Sequence, residues 1–245
     1  MPFHKITHNE KLRFATVHNY GCTFHCPFCS YKLRSGADGT PGLAYPKPDR
    51  FLNIDEIKTK LRGLSIKKVY VMGGEPTVAR ETPELLRFAK EELGVETRLG
   101  HTNGSGLPLP FLDGANVGFK AWDEALHLSI TGRSKSLIYG NFETAFKAGI
   151  DLRANIVFVP GLVDRDQVEA LAAWLGALSR SIPFHIMGYI PVPGQAWRRP
   201  TEDETLAAVA ACRRHLDKVE MSRLSPEDAL GLKENDERFA TQRVA

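Results

Sequence analysis

Leu12-Arg-Phe-Ala-Thr-Val-His18-Asn-Tyr-Gly-Cys22-Thr-Phe-His-Cys26-Pro-Phe-Cys29 is a strand-like run that ends in three cysteines. Leu12 to His18 reads as a β-strand rich in β-branched and aromatic residues, and the cysteine loop follows it directly. Four cysteines in 245 residues are few, and three of them fall within eight positions. A secreted disulfide scaffold spreads its cysteines along the chain, whereas a cluster of this kind belongs to a metal site in a reducing compartment.

Outward from this stretch, strand-like and helix-like segments alternate, the pattern of parallel βαβ units. Ser35 to Asp49 is a polar, Pro/Gly-rich loop. Asn53 is placed to cap a helix whose Ile54, Ile57 and Leu61 share one face. Lys68 to Met72 reads as a buried strand ending in Gly73-Gly74, and a helix follows from about Thr82 to Leu93, with Pro83 in its first turn. Val95 to Leu99 and Asn116 to Phe119 are further strands, and Ser136 to Ala148 is helical. Leu152 to Val159 is a strand bounded by Pro160-Gly161. From Asp164 to Leu178, Val168, Leu171, Trp174, Leu175 and Leu178 form an apolar helical stripe, which is core packing. Phe184 to Ile190 is the sixth strand. Thr201 to His215 is the last helix, opening with a Thr-x-x-Glu capping box at Thr201 and Glu204.

Six strand–helix units without repeats or linkers predict an α/β fold, a single-domain open (β/α)6 partial TIM barrel with parallel strands. Right-handed crossovers would gather the strand C-termini at one mouth. The barrel domain is expected over 1–221. The charged, irregular tail over 222–245 is expected to fold over an edge or stay mobile. A chain of this length can bury roughly 70–75 % of the surface its unfolded form exposes, enough for a core without staples.

Composition excludes several classes. With 42 % hydrophobic and 25 % charged residues the chain is neither disordered nor fibrous. A net charge of +3 is a weak excess. Nucleic acid or an anionic membrane asks for a clustered basic face, and Arg198-Arg199 and Arg213-Arg214 are only short pairs. No 18-residue apolar run occurs and Met1 to Arg13 is too polar for a signal peptide, so a soluble, cytoplasmic protein is expected.

Cys22, Cys26 and Cys29 have the spacing CxxxCxxC. Three thiolates this close can hold three irons of a cubane and leave the fourth iron open to a substrate, where four cysteines normally complete the set. The alternative is structural zinc with His25 or His18 as fourth ligand, although zinc sites favour paired CxxC units. Cys212, on a helix among alanines, reads as a buried structural thiol. Gly73-Gly74-Glu75-Pro76 offers a close backbone approach and a carboxylate able to hold an ammonium group; alone it could be a strand-to-helix turn.

CxxxCxxC with Phe28 before the last cysteine resembles the signature of the radical S-adenosylmethionine (SAM) superfamily. The resemblance implies a [4Fe–4S] cluster on Cys22, Cys26 and Cys29, with SAM chelated at the open iron. Reductive cleavage of SAM would give methionine and a 5′-deoxyadenosyl radical that abstracts hydrogen. Gly73, Gly74 and Glu75 resemble the family's GGE motif, which implies that Glu75 is the ligand of the SAM amino group; Phe28 would pack near the adenine. Further pieces resemble glycyl-radical-enzyme activating enzymes of the pyruvate formate-lyase type, in order over roughly residues 12 to 215. They are Thr102-Asn103-Gly104, Lys120, His127 to Ser134, Val159-Pro160-Gly161 with Asp164, and Gly188-Tyr189-Ile-Pro191.

Carried over by position, Lys120 would approach the SAM carboxylate, Asn155 would take the place of a carboxylate-binding residue, and Asn103 would lie at the cofactor. Plainer readings are a surface charge for Lys120, a backbone cap for Asn155 and a turn residue for Asn103. The chain departs from the activase pattern at His101, where an Asp is common, and at Gly118-Phe119-Lys120, where the family has Asp-x-Lys. It departs again at Ile190, which stands where a His contacts the ribose. The lost carboxylates put the family's monovalent cation site in doubt, and His101 reads as a packed histidine. Partners implied are a reductant such as flavodoxin or ferredoxin and a glycyl-radical enzyme that supplies a glycine. The alternative is a stand-alone radical SAM enzyme acting on a small molecule or nucleoside, to which Arg133, Arg153, His185 and Gln195 could contribute polar contacts.

Overall fold

Leu152, Ala154, Ile156 and Phe158 are buried, and they alternate with Arg153, Asn155 and Val157. That period of two turns one side of a strand to a helical layer and the other to a hollow. The computed structural model describes residues 2–245, and the same division runs through its sheet. The strands are β1 (Phe3–Asn9), β2 (Phe14–Asn19), β3 (Lys68–Met72), β4 (Glu96–Thr102) and β5 (Gly114–Phe119), then β6 (Asp151–Phe158), β7 (Phe184–Gly188), β8 (Val219–Ser222) and β9 (Gln242–Arg243). Their order across the sheet is β8-β7-β6-β5-β4-β3-β2-β1-β9. From β2 to β8 every neighbour is parallel, while β1 runs antiparallel to both β2 and β9.

The helices are α1 (Lys32–Ser35), α2 (Ile54–Arg62), α3 (Thr82–Glu91), α4 (Glu124–Thr131), α5 (Lys135–Lys147) and α6 (Arg165–Leu178), then α7 (Glu202–Cys212), α8 (Pro226–Leu230) and α9 (Leu232–Asn235). Local chemistry explains several boundaries. Asn53 and Glu56 form a capping box on α2, and Thr201 and Glu204 form one on α7. Pro83 sits in the first turn of α3. Val168, Leu171 and Leu175 of α6 are buried, and Trp174 packs its ring against Phe119, Tyr139 and Phe142 under the middle of the sheet.

The six predicted strands are β2 to β7, so the open α/β partial barrel stands. The structure adds to it. β8 extends the parallel set, and β1 and β9 form an antiparallel edge. The tail does not end at β8. From Ser222, residues 223–241 carry the chain by way of α8 and α9 to the opposite edge, where Val244 N–H donates to Ile6 and Ile6 N–H to Ala245. Asn9 Nδ2 donates to the Glu237 carbonyl at 2.7 Å. Among the elements unread in the sequence are β1 and α4. β1 looked like a polar N-terminus, because only its Phe3 and Ile6 positions are strongly apolar. α4 is a short helix capped by Asp123 and stopped by left-handed Gly132.

Candidate functional site

β2 delivers the cysteines. Beyond Asn19 the chain turns at Gly21, and a network of hydrogen bonds fastens the loop to the end of β3. Asn19 Nδ2 donates to the carbonyls of Gly21 (3.0 Å) and Glu75 (2.8 Å), Glu75 N–H donates to Gly21 (2.7 Å), and Gly74 N–H donates to the Tyr31 hydroxyl (2.9 Å). Here the two glycines find their purpose. Gly74 has φ +52°, and a Cβ there would lie 1.9 Å from the Gly21 carbonyl oxygen. The close approach is between the turn and the cysteine loop.

All four cysteines are free thiols. Cys29 N–H donates to the Cys26 carbonyl at 3.2 Å, a helical turn that brings these two residues to one side. Cys22 Sγ accepts from Phe24 N–H at 3.4 Å and lies 3.8 Å from Asn103 Nδ2. Burial raises the thiol pKa of Cys22, and raises that of Cys26 to about 12, against the pull of the Lys120 ammonium. A bound metal would deprotonate such thiols outright.

The donor set was tested against both candidate metals. Four ligands about 2.3 Å from one zinc stand within about 4 Å of each other. Among the described residues no three His, Cys, Asp or Glu side chains converge in that way, and His18, a proposed fourth ligand, hydrogen-bonds Thr7 Oγ1 instead. Three thiols on one loop, each for a different iron, suit a cubane, and N–H groups near Cys22 Sγ are the kind of donor that tunes such clusters. Cys212 lies apart, fully buried against the Val168 carbonyl, as a structural thiol.

Glu75 stands at the centre of a hydrogen-bond network. Its carboxylate is fully buried. Oε1 accepts from Thr77 N–H (3.1 Å), Thr77 Oγ1 (2.8 Å) and Thr102 Oγ1 (2.7 Å), and Oε2 accepts from Asn103 N–H (2.5 Å). Burial raises its pKa while these four neutral donors pull it down. The carboxylate thus ties the end of β3 to the end of β4. Asn103 continues the tie, its Nδ2 donating to Thr23 Oγ1 at 2.8 Å, and so combines the turn reading with a contact to the cysteine loop. Thr102, Thr23, Tyr31 and Asn19 complete the network. Sequence reading missed these roles, since hydroxyl and amide side chains at such positions carry no pattern of their own.

Lys120 and Asn155 meet over Gly118. A Cβ on Gly118 would lie 2.9 Å from Lys120 Nζ and 3.1 Å from Asn155 Oδ1. An ammonium therefore occupies the space where the activase pattern has a carboxylate. Lys120 is no stray surface charge, for its field reaches Cys22, Cys26, His101 and His127. Asn155 lies on the hollow side of β6, paired with Gly118 and His185 across the ladders.

His101 also departs from expectation. Between Leu99 and Thr102 the β4–β5 register slips, a bulge that re-aims His101. The side chain is exposed although protein surrounds it, as a group facing the barrel hollow must be. Desolvation, Lys120 and His185 together lower its pKa to about 4, so it is neutral at pH 7. Phe28 is buried beside the loop, and Ile190 is half-buried just beyond β7. The arginine pairs are engaged elsewhere, Arg198 with Glu204 and Arg214 with Glu169. Among the described residues no helix is long and apolar enough to cross a membrane.

Comparison with known proteins agrees with this geometry. The family description "Radical SAM superfamily" matches residues 16–175. A Methanocaldococcus jannaschii protein, provisionally named a glycyl-radical enzyme activating enzyme, is 27 % identical over 89 % of this chain and 84 % of its own length. The GTP 3′,8-cyclase of Klebsiella pneumoniae is 28 % identical over 63 % of this chain, which spans about half of that relative (48 %). In fold, SuiB of Streptococcus suis with S-adenosylmethionine bound superimposes with a TM-score of 0.62 at 18 % identity, over 86 % of this chain and 50 % of SuiB.

Proposed function

The chain belongs to the radical SAM superfamily, and on that premise we propose that its barrel mouth cleaves S-adenosylmethionine beside Cys22, Cys26 and Cys29 to abstract hydrogen from a substrate. The [4Fe–4S] cluster, when bound, supplies one electron to the sulfonium of SAM, yielding methionine and a 5′-deoxyadenosyl radical. The chain's own residues do the rest. Cys22, Cys26 and Cys29 hold three irons, and the Gly73-Gly74 turn and Asn103 brace their loop. Lys120, with Asn155 beside it, meets the SAM carboxylate. Phe28 packs near the adenine, and Ile190 gives the ribose an apolar wall. Glu75 acts from behind, as a positioning residue. The barrel keeps the radical from water and from competing hydrogen donors. A flavodoxin or ferredoxin supplies the electron.

One observation carries this reading: three free thiols share the loop that leaves β2, and the Lys120 ammonium acts on two of them, Cys22 and Cys26. Anaerobic reconstitution should give about four irons per chain, the complement of a cubane. Cys26→Ala should lose iron and form no 5′-deoxyadenosine while its circular dichroism stays that of the parent. A variant that still cleaves SAM would remove Cys26 from the ligand set.

One reading is a small-molecule substrate that enters at the barrel mouth. Likeness to GTP 3′,8-cyclases supports it. The near full-length likeness to the archaeal protein supports the other reading, a glycine in a loop of a partner glycyl-radical enzyme. Electron paramagnetic resonance of the reduced enzyme with SAM and a candidate partner separates them: a glycyl-radical doublet would establish the protein substrate.

A further inference from the structure

Five neighbouring strands bring polar side chains to one level of the hollow. Gly118, Asn155, His185 and Glu220 are register partners in a line across β5, β6, β7 and β8. Register partners face the same side of a sheet, so Asn155, His185 and Glu220 stand in a row at intervals of about 5 Å. Lys120, just past β5, closes the Gly118 end, with its Nζ and Asn155 Oδ1 both beside Gly118. His101 joins from β4, for Lys120 and His185 both act on its ring. At the far end Glu220 and Arg238 of the tail act on His185 and on each other.

Lys120 and Asn155 belong to the SAM carboxylate in the reading above. His101, His185 and Glu220 have no such task. Among the described residues, none of these three side chains forms a hydrogen bond or an ion pair. Burial is the main reason that both imidazoles lie below their ordinary pKa, so at pH 7 each is neutral and offers one N–H and one bare nitrogen. Polar groups set within a protein wall need partners, and a few of them converging on a hollow is how a site fixes a small ligand.

Charge and hydrogen-bonding capacity select the ligand. Lys120 at one end and Arg238, itself paired with Asp236, at the other disfavour a cation, and the Glu220 carboxylate disfavours an anion. Two neutral imidazoles and a carboxylate hold more acceptors than donors, so the ligand must be rich in donors. Hydroxyl groups fit, since each donates and accepts. We infer that His101, His185 and Glu220 bind neighbouring hydroxyl groups of a small polyhydroxylated substrate, a sugar or a ribose. They determine specificity, because a substrate without those hydroxyls leaves the three side chains unpaired. SAM also carries a ribose, and the test below separates the two sources. The inference rests on the small-molecule reading and names its substrate class.

Saturation-transfer NMR on the anaerobically reconstituted enzyme with SAM bound tests it, with ribose, glucose and inositol as probes and cyclohexanol and methylamine as controls. At least one polyol should bind, and neither control should. His101→Phe, His185→Phe and Glu220→Ala should each weaken polyol binding about tenfold or more, while Glu220→Gln, which keeps an acceptor, should stay within about fivefold of the parent. Alanine at either histidine answers for a phenylalanine variant that fails to take up iron. Cluster absorbance and SAM affinity by equilibrium dialysis should match the parent throughout. Binding of no polyol, or equal binding by the variants, would overturn the inference. Methylamine bound instead, and lost in Glu220→Gln, would overturn it in favour of a cationic group. A parallel loss of SAM affinity would assign the row to the ribose of SAM and overturn it too. A glycyl radical raised on a partner protein equally by the parent and both histidine variants would defeat the small-molecule reading itself, and that failure is read separately.

Discussion

A single methyl group at Gly74 would strike the Gly21 carbonyl, a backbone atom that cannot swing aside. Gly74→Ala is therefore expected to cost about 3 kcal/mol, from overpacking together with the left-handed φ. The loss should appear in urea unfolding and in reduced iron uptake, since the damage falls on the cysteine loop. Glu75 gives a second prediction at this scale. Glu75→Ala leaves four donors without their acceptor and should destabilise the fold by about 3 kcal/mol. If Glu75 only positions Thr102 and Asn103, Glu75→Gln should keep SAM affinity within a few-fold once folded protein is compared at equal concentration. A hundredfold loss by equilibrium dialysis would restore it as a direct ligand. The Gly-Gly-Glu run was readable as a place of close backbone approach beside a carboxylate. Sequence could not say that the approach was to the chain itself, because Gly21 and Gly74 lie on separate strand ends.

At the scale of elements, β1 and β2 carry a titration. Burial lowers the pKa of His18 to about 3 and that of His4 to about 4, with Lys5 adding to both. In the unfolded chain each would titrate near 6.5. Their stabilising contribution is therefore complete above pH 6.5. It is lost as the pH falls toward 4, because only the unfolded state takes up protons in that window. Stability from urea melts should drop by about 1–2 kcal/mol per histidine between pH 6.5 and 5, and His18→Gln should flatten the slope. A flat profile in the parent would show both rings solvated. The six central strands were readable because their apolar runs are buried under helices, and most are followed closely by Gly or Pro. β1 was not, since it lies next to the sheet edge and its hollow-facing side is Lys5, Thr7 and Asn9. α4 escaped for want of length, and His101 because a bulge, which no periodicity announces, turned it inward.

For the molecule as a whole, the decisive feature is the return of the tail. Asn9 to Glu237 is its polar fastening, and Asn9→Ala should loosen it by about 1 kcal/mol, seen as faster amide exchange over residues 236–243 with the rest of the sheet unchanged. Unaltered exchange there would mean that the β1–β9 pairing alone holds the tail. These partners are 228 residues apart in the chain. A nascent polypeptide leaving the ribosome must therefore keep the outer rim of β1 bare until β9 has been made. Joining ends so distant is entropically slow, and an uncovered strand rim is a template for wrong pairings between neighbouring chains. Aggregation during synthesis is thus the hazard this architecture carries, and the charge of Lys5 on that strand is placed to discourage it.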